Sequence, residues 1–159
     1  MKKPDALRKY LLAAVAALAS KPENLSLFVD KGRIGARAGS LSYEHRYTLN
    51  VVVQDYAGDI DKLFVPLLAW ISDNQPELLQ QDKQEPFSFE ADLLDGELVD
   101  VSIDIELTER VLVERTADGT RVTALGEPNL SDVFDGVDPA TPWTGLLDDI
   151  IAAGVAEAA

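Results

Sequence analysis

The sequence predicts an α+β domain: an antiparallel or mixed sheet of about four to six strands with helices on one face, in the order α-β-β-α-β-β-β-β-α. Three observations carry this prediction. Leu41 to Val53 and Val99 to Leu107 alternate apolar and polar residues, the pattern of a half-buried strand. Leu7, Leu11, Ala14, Val15 and Leu18 recur instead at the spacing of an amphipathic helix. Asp95-Gly96 and Asp118-Gly119 fall between strand-like runs as hairpin signals, so the strands they join run antiparallel.

The first helix starts near Pro4, which suits a first turn because its missing N–H has no helical partner there, and Lys21-Pro22 stops it. Met1-Lys2-Lys3 ahead of Leu11 to Ala19 resembles a secretory leader faintly. Asp5, Arg8, Lys9 and Tyr10 interrupt that run, and the helical spacing accounts for it better. Leu25 to Val29 reads as a strand. Gly32, Gly35 and Gly39 then break the pattern, so residues 30–40 read as a mobile loop or a bulged hairpin connection. In the next strand Leu41, Tyr43, His45, Tyr47, Leu49, Val51 and Val53 share one face. Asp55 to Asp59 is a turn. Asp59 or Asp61 caps a second helix running to about Asn74, with Leu63, Phe64, Leu67, Leu68 and Ile71 inward. Pro66 either kinks that helix or marks its true first turn.

Phe87 to Leu93 forms the next strand, joined by Asp95-Gly96 as a two-residue turn to the strand Val99 to Leu107. Val111 and Val113 continue that strand or bend into a new one, and Arg121 to Leu125 returns across Asp118-Gly119. Residues 1–125 are expected to make a single domain. Residues 126–159 read as an arm with Pro128, Pro139 and Pro142, then a short helix from Trp143 to about Val155. Leu146, Leu147, Ile150 and Ile151 line one side of that helix, which docks on its own core or on a neighbouring subunit.

The chain of 159 residues has no cysteine and one histidine, which excludes disulfides, thiol chemistry, Cys-ligated zinc and a His-based metal cluster within one chain. No run approaches the roughly 20 apolar residues of a membrane helix, so no membrane partner is expected. The net charge of −14 is unevenly spread. Residues 1–50 hold nine Lys and Arg against four Asp and Glu, and residues 51–159 hold five against 24. Sequence-specific nucleic-acid binding needs a concentrated basic face, which that second half opposes. A two-signed chain suits contacts with copies of itself or with other proteins.

Nothing in the chain makes an active site, so no catalytic residue, metal or cofactor is expected. Asp55, Asp59 and Asp61, and then Asp92, Asp95, Glu97 and Asp100, cluster around turns, but neither group has the spacing of a calcium loop. His45 has no serine or cysteine nucleophile motif beside it, and the glycines at 32, 35 and 39 lack the Gly-Lys-Ser/Thr ending of a phosphate loop. The polar faces of the 87–107 hairpin, by contrast, gather Glu90, Asp92, Asp100, Asp104 and Glu106. Like charges on neighbouring strands need water or a basic partner. Arg33, Arg37 and Arg46 of another copy would supply one.

Several segments together resemble the tail completion protein R family of P2-like bacteriophages. They are Phe28-Val29-Asp30 with Gly32-Arg33-Ile34, Leu41 through Asn50, Asp55-Tyr56-Ala57-Gly58, Val65 through Trp70, Asn74 through Leu79, Phe87 through Asp92, and Leu107 through Val111. The likeness runs from about Lys3 to Val113. It implies a non-enzymatic virion assembly protein of a contractile-tailed phage or prophage, made in the host cytoplasm and carried at the head-proximal end of the tail. It also implies a terminator-like fold and a hexameric ring that halts tube growth. The ring's partners would be its own copies, the tail tube protein and a head–tail connector or head completion protein.

Within such a ring, Arg33, Arg37 or Arg46 is expected to pair with Asp92, Asp100 or Asp104 across subunits. The segment with Gly32, Gly35 and Gly39 is expected to order on the tube end. Glu90, Glu106, Asp132 and Asp135 are candidates for lining the channel, and Asp92 and Asp104 are contested between the two roles. The rival readings are a small acidic inhibitor or immunity-type protein for a basic partner, and a metal-dependent hydrolase built on the aspartate clusters.

Overall fold

A computed structural model describes residues 1–80 and 85–127. Helices α1 (Lys3–Ala14) and α2 (Ala16–Ser20) lead through a 3-10 turn, Pro22–Asn24, into strand β1 (Leu25–Ala36). Strand β2 (Tyr43–Ala57) returns beside it and helix α3 (Asp61–Asn74) follows. A second 3-10 turn, Pro76–Leu79, precedes β3 (Ser88–Leu93), β4 (Leu98–Thr116) and β5 (Gly119–Leu125). The strands form one open antiparallel sheet in the order β1-β2-β4-β3, with β5 also paired to β4. Helices lie on one face, the α+β arrangement that the two hydrophobic periods predict.

Strand β4 is the spine. At about 3.3 Å per residue it is roughly 60 Å long. β2 occupies one of its edges from Leu98 to Val111. The other edge holds β3 opposite Val99 to Asp104 and β5 opposite Arg110 to Thr116. Between them Gln75, 3% exposed, closes the gap. Its Oε1 accepts the Thr108 amide at 3.1 Å and Lys3 Nζ at 2.8 Å, while its Nε2 donates to Thr108 Oγ1 at 3.0 Å. A buried amide side chain thus stands in for the missing strand, as a buried backbone N–H requires.

The core fills because alternate residues face the helices. Tyr47, Leu49, Val51 and Val53 of β2 and Val101, Ile103, Ile105 and Leu107 of β4 are buried against Leu7, Leu11 and Val15 of the first helix and Leu63, Leu67, Trp70 and Ile71 of α3. Each such side chain stabilises the fold by about 1.5–3 kcal/mol relative to exposure.

Several expectations change in the structure. The first helix breaks at Val15, whose extended backbone (φ −110, ψ 105) keeps its side chain inward and redirects α2 so that Leu18 also reaches the core. Ala14 is exposed. In α3, Leu68 is 38% exposed and Trp70 is buried instead, because Leu63, Leu67, Trp70 and Ile71 complete the i, i+4, i+7, i+8 stripe. The helix runs through Pro66 rather than starting there, and Asp61 is its first residue. Asp59 accepts the Asp61 amide at 3.0 Å from one residue before the N-cap, Ile60.

The open alternatives at 30–40 resolve as a bulged hairpin. β1 continues to Ala36 across a bulge between Asp30 and Arg33, where Lys31 takes φ 50. β4 continues without a break through Val111 and Val113, so among the described residues three strands follow α3, where the expected order has four. The Asp95-Gly96 turn has three residues, closed by Leu94 N to Leu98 O at 2.9 Å, with Gly96 and Glu97 both at positive φ. The other hairpin turns on Ala117 and Asp118, with Gly119 at φ 139 opening β5. The arm beyond Glu127, the helix from Trp143 to Val155, and Asp132 and Asp135 lie outside the described residues.

Candidate assembly surfaces

The alternation that buries one face of β2 and β4 presents the other as a polar ladder. Successive registers across β1, β2 and β4 read Gly35–Glu44–Arg110, Arg33–Arg46–Thr108, Asp30–Thr48–Glu106 and Phe28–Asn50–Asp104. β3 adds Ser88 beside Asp104, Glu90 beside Ser102 and Asp92 beside Asp100. The ladder is basic toward one end and acidic toward the other.

At the basic end the tips of two hairpins lie side by side, tied by Ser42 Oγ accepting the Val113 amide at 2.9 Å. Arg33, Arg37, Arg46, Arg110, Arg115 and Arg121 are all exposed there. At the acidic end the turn after β2 is tied to β4 by the Asp55 amide, which donates to Asp100 at 2.8 Å. Asp55, Asp59, Asp61, Asp92, Asp95 and Glu97 are exposed around it, and Asp100 is half-buried. Roughly 25 Å of strand separates Arg46 from the level of Asp100, so these groups cannot neutralise each other within one subunit. The contrast between the two halves of the sequence thus becomes an axis in space. The sequence alone misses Arg110, Arg115 and Arg121: they belong to the acidic half and reach the basic end only because β4 overruns the helices and β5 folds back on it.

Two contacts oppose stability. Arg33 faces Arg46 directly across β1 and β2, and Asp92 faces Asp100 directly across β3 and β4. Like charges at such positions repel unless a counter-charge faces them. Glu44 relieves Arg46 at 2.6 Å; among the described residues Arg33 forms no ion pair. Asp104 and Glu106 are quieter, since Asn50 Nδ2 donates to Asp104 at 2.7 Å and Thr48 Oγ1 to Glu106 at 2.6 Å. Both carboxylates line a groove beneath Lys31. Of the three glycines, Gly39 alone needs its residue type for its backbone, at φ 83; Gly32 and Gly35 lie in β1.

The aspartate clusters serve turns. Asp55 takes φ 47 at a bulge in β2, and Asp59 supports the start of α3. Burial, then the Asp59 charge, raises the pKa of the nearby Tyr56 phenol. Among the described residues no group of three or more His, Asp and Glu is placed to hold a metal. No helix among them is long and apolar enough to cross a membrane.

Among the described residues one carboxylate is buried, Glu109, which sits where the helix layer ends. It accepts the Lys2 amide at 2.7 Å, the Lys3 amide at 3.3 Å and the Tyr47 hydroxyl. Burial alone would raise its pKa. The Tyr47 hydrogen bond, the two amides at the start of α1 and the terminal ammonium outweigh that and lower it. The Tyr47 phenol is pushed up, by burial first and by Glu109 second.

A family model described as P2 phage tail completion protein R (GpR) matches residues 1–128. The chain is also similar to "Tail completion protein R" of Escherichia phage P2, 45% identical over 131 residues, covering 80% of this chain and 84% of that protein. No solved structure matches.

Proposed function

The chain belongs to the P2 phage tail completion protein R (GpR) family, and on that premise we propose that it completes the tail as a hexameric ring at the head-proximal end. It is a non-enzymatic protein of the phage tail. In this reading the ring stops growth of the tail tube, rests on the tube protein and offers its other side to a head–tail connector or head completion protein.

The observation that carries the ring is the pair of like-charge contacts, Arg33 with Arg46 and Asp92 with Asp100. Each is uncomfortable within one subunit, and each is relieved when the basic surface of one copy meets the acidic surface of the next. A contact between two different surfaces closes into a ring when its rotation closes. Opposite charge on those surfaces fixes register and suppresses wrong pairings. Asp92 stands on the edge strand β3 and is the acidic partner within reach of a neighbour. Asp104 and Glu106, one strand further in, remain free to line the channel, with Glu90 beside them. Carboxylates there repel DNA phosphates at short range and let the duplex slide.

Tails assembled without this protein should be over-long and should fail to join heads, as measured by electron microscopy of lysates. Tails of normal length that carry heads would overturn the reading. A reconstruction of completed tails should show a hexameric ring with an acidic bore. Hydrogen exchange of residues 30–40, bulge and hairpin tip together, should slow on the tube end relative to the free subunit; equal protection in the two states would count against tube contact by this hairpin.

A further inference from the structure

We propose that copies of this protein join end to end along the strand axis, the paired hairpin tips of one subunit seating on the acidic turn end of the next. This rests on the ring reading and specifies the contact within it.

The two ends match in more than charge. The helix layer stops where α1 starts against Glu109 and α3 ends at Gln75 beside Thr108. β4 runs on to Thr116, so the tips project by roughly 20 Å beyond the helices. The projecting end exposes Leu41 and Val122, each 64% exposed. Arg37, Arg115 and Arg121 are exposed at the same end and outnumber the exposed Glu114 and Asp118 of the tip. The opposite end exposes Leu93, at 84% the most open large apolar side chain among the described residues, and Leu94 beside it at 40%. Asp95 and Glu97 follow them in the same turn, and Asp55 is tied to Asp100 at the same end of the sheet. Each end is thus an apolar centre inside a charged rim, and the rims have opposite signs. A stable interface has that anatomy, with charge setting orientation and the apolar centre excluding water.

A second copy of the same end does not fit. Two basic tips, or two acidic turns, would bring like charges together at several positions. The contact is therefore between unlike ends, and it propagates from subunit to subunit. Both ends are also held stiff by cross-links within the subunit, Ser42 to Val113 at one and Asp55 to Asp100 at the other. Little ordering cost remains for the meeting itself.

The chain has no cysteine, so a single introduced thiol reports its own neighbours. Leu41→Cys and Leu93→Cys alter exposed side chains and leave the core intact. Carried on two differently tagged chains, mixed at low ionic strength and oxidised mildly, they should give the 41–93 disulfide about tenfold more than either same-site disulfide, the ratio expected from a preference of about 1.4 kcal/mol. About 1 M salt, where the screening length is about 3 Å, should remove most of that preference. Same-site disulfides in the majority, a statistical mixture of all three, or no cross-linking would overturn the proposal. Tail lengths in phage carrying the same variants under reducing conditions separate the two ideas. Normal heads-on tails with same-site cross-linking refute this contact and leave the ring. A dominant 41–93 disulfide supports the contact even where tails lacking the protein terminate normally and the ring reading fails.

Discussion

Replacing Glu109 with leucine should cost about 2–3 kcal/mol of folding stability, because it strips the acceptor from the buried Tyr47 hydroxyl and from two half-buried amides at once. The Tyr47 hydroxyl and the Lys2 and Lys3 amides all point at that carboxylate. The start of α1 would lose its anchor to β4, although the packing of Leu7 and Leu11 would persist. Glu109→Gln keeps an acceptor oxygen and should cost about 1–2 kcal/mol. The same group gives a pH dependence of definite sign. Its folded pKa lies below the ordinary 4.5. Its contribution is therefore fully present above that value and is lost as the pH falls toward the folded pKa. Urea unfolding between neutral pH and about pH 3 should show wild type losing stability faster than Glu109→Gln in the acid range. Parallel curves would mean that Glu109 carries no such linkage.

Reversing the arginines should separate assembly from stability. Arg33→Glu places a carboxylate directly opposite Arg46, turning a repulsive cross-strand pair into an attractive one. The isolated subunit should gain about 0.2–1 kcal/mol in denaturant unfolding. Tail completion should nevertheless suffer, since the acidic surface of the next copy then faces a carboxylate. Reversing Arg33, Arg37 and Arg46 together brings several like-charge contacts to one interface. At several kcal/mol in sum, this should lower the yield of completed tails more than about 100-fold. Asp92→Arg in the Arg33→Glu background should recover part of the loss. Normal numbers of full-length, head-bearing tails from the triple variant would end the case for these arginines at the subunit contact. A substitution that stabilises the monomer while damaging the assembly is the signature expected of a charge retained for a partner.

The residues alone determined the local periods. Tyr43 to Val53 and Val99 to Leu107 had to be strands because only a period of two puts their apolar residues on one face, and both are; Leu41, at the head of the same pattern, falls instead in the hairpin connection and is exposed. The first helix and α3 follow from the longer period in the same way. Composition excluded thiol chemistry, and the uneven charge of the two halves pointed to contacts with other protein surfaces before any contact could be seen. The tertiary structure decided everything that depends on register. Arg33 lies opposite Arg46 only because a bulge at Lys31 shifts β1 against β2. Arg110, Arg115 and Arg121 join the basic end only because β4 continues past the helices. Glu109 reads as one more charged residue in an apolar strand until the start of α1, more than a hundred residues earlier, is packed against it. Local pattern is a property of neighbours in the chain. Register and long-range pairing are set by which faces can be buried together, and that is settled only when the whole sheet closes over its core.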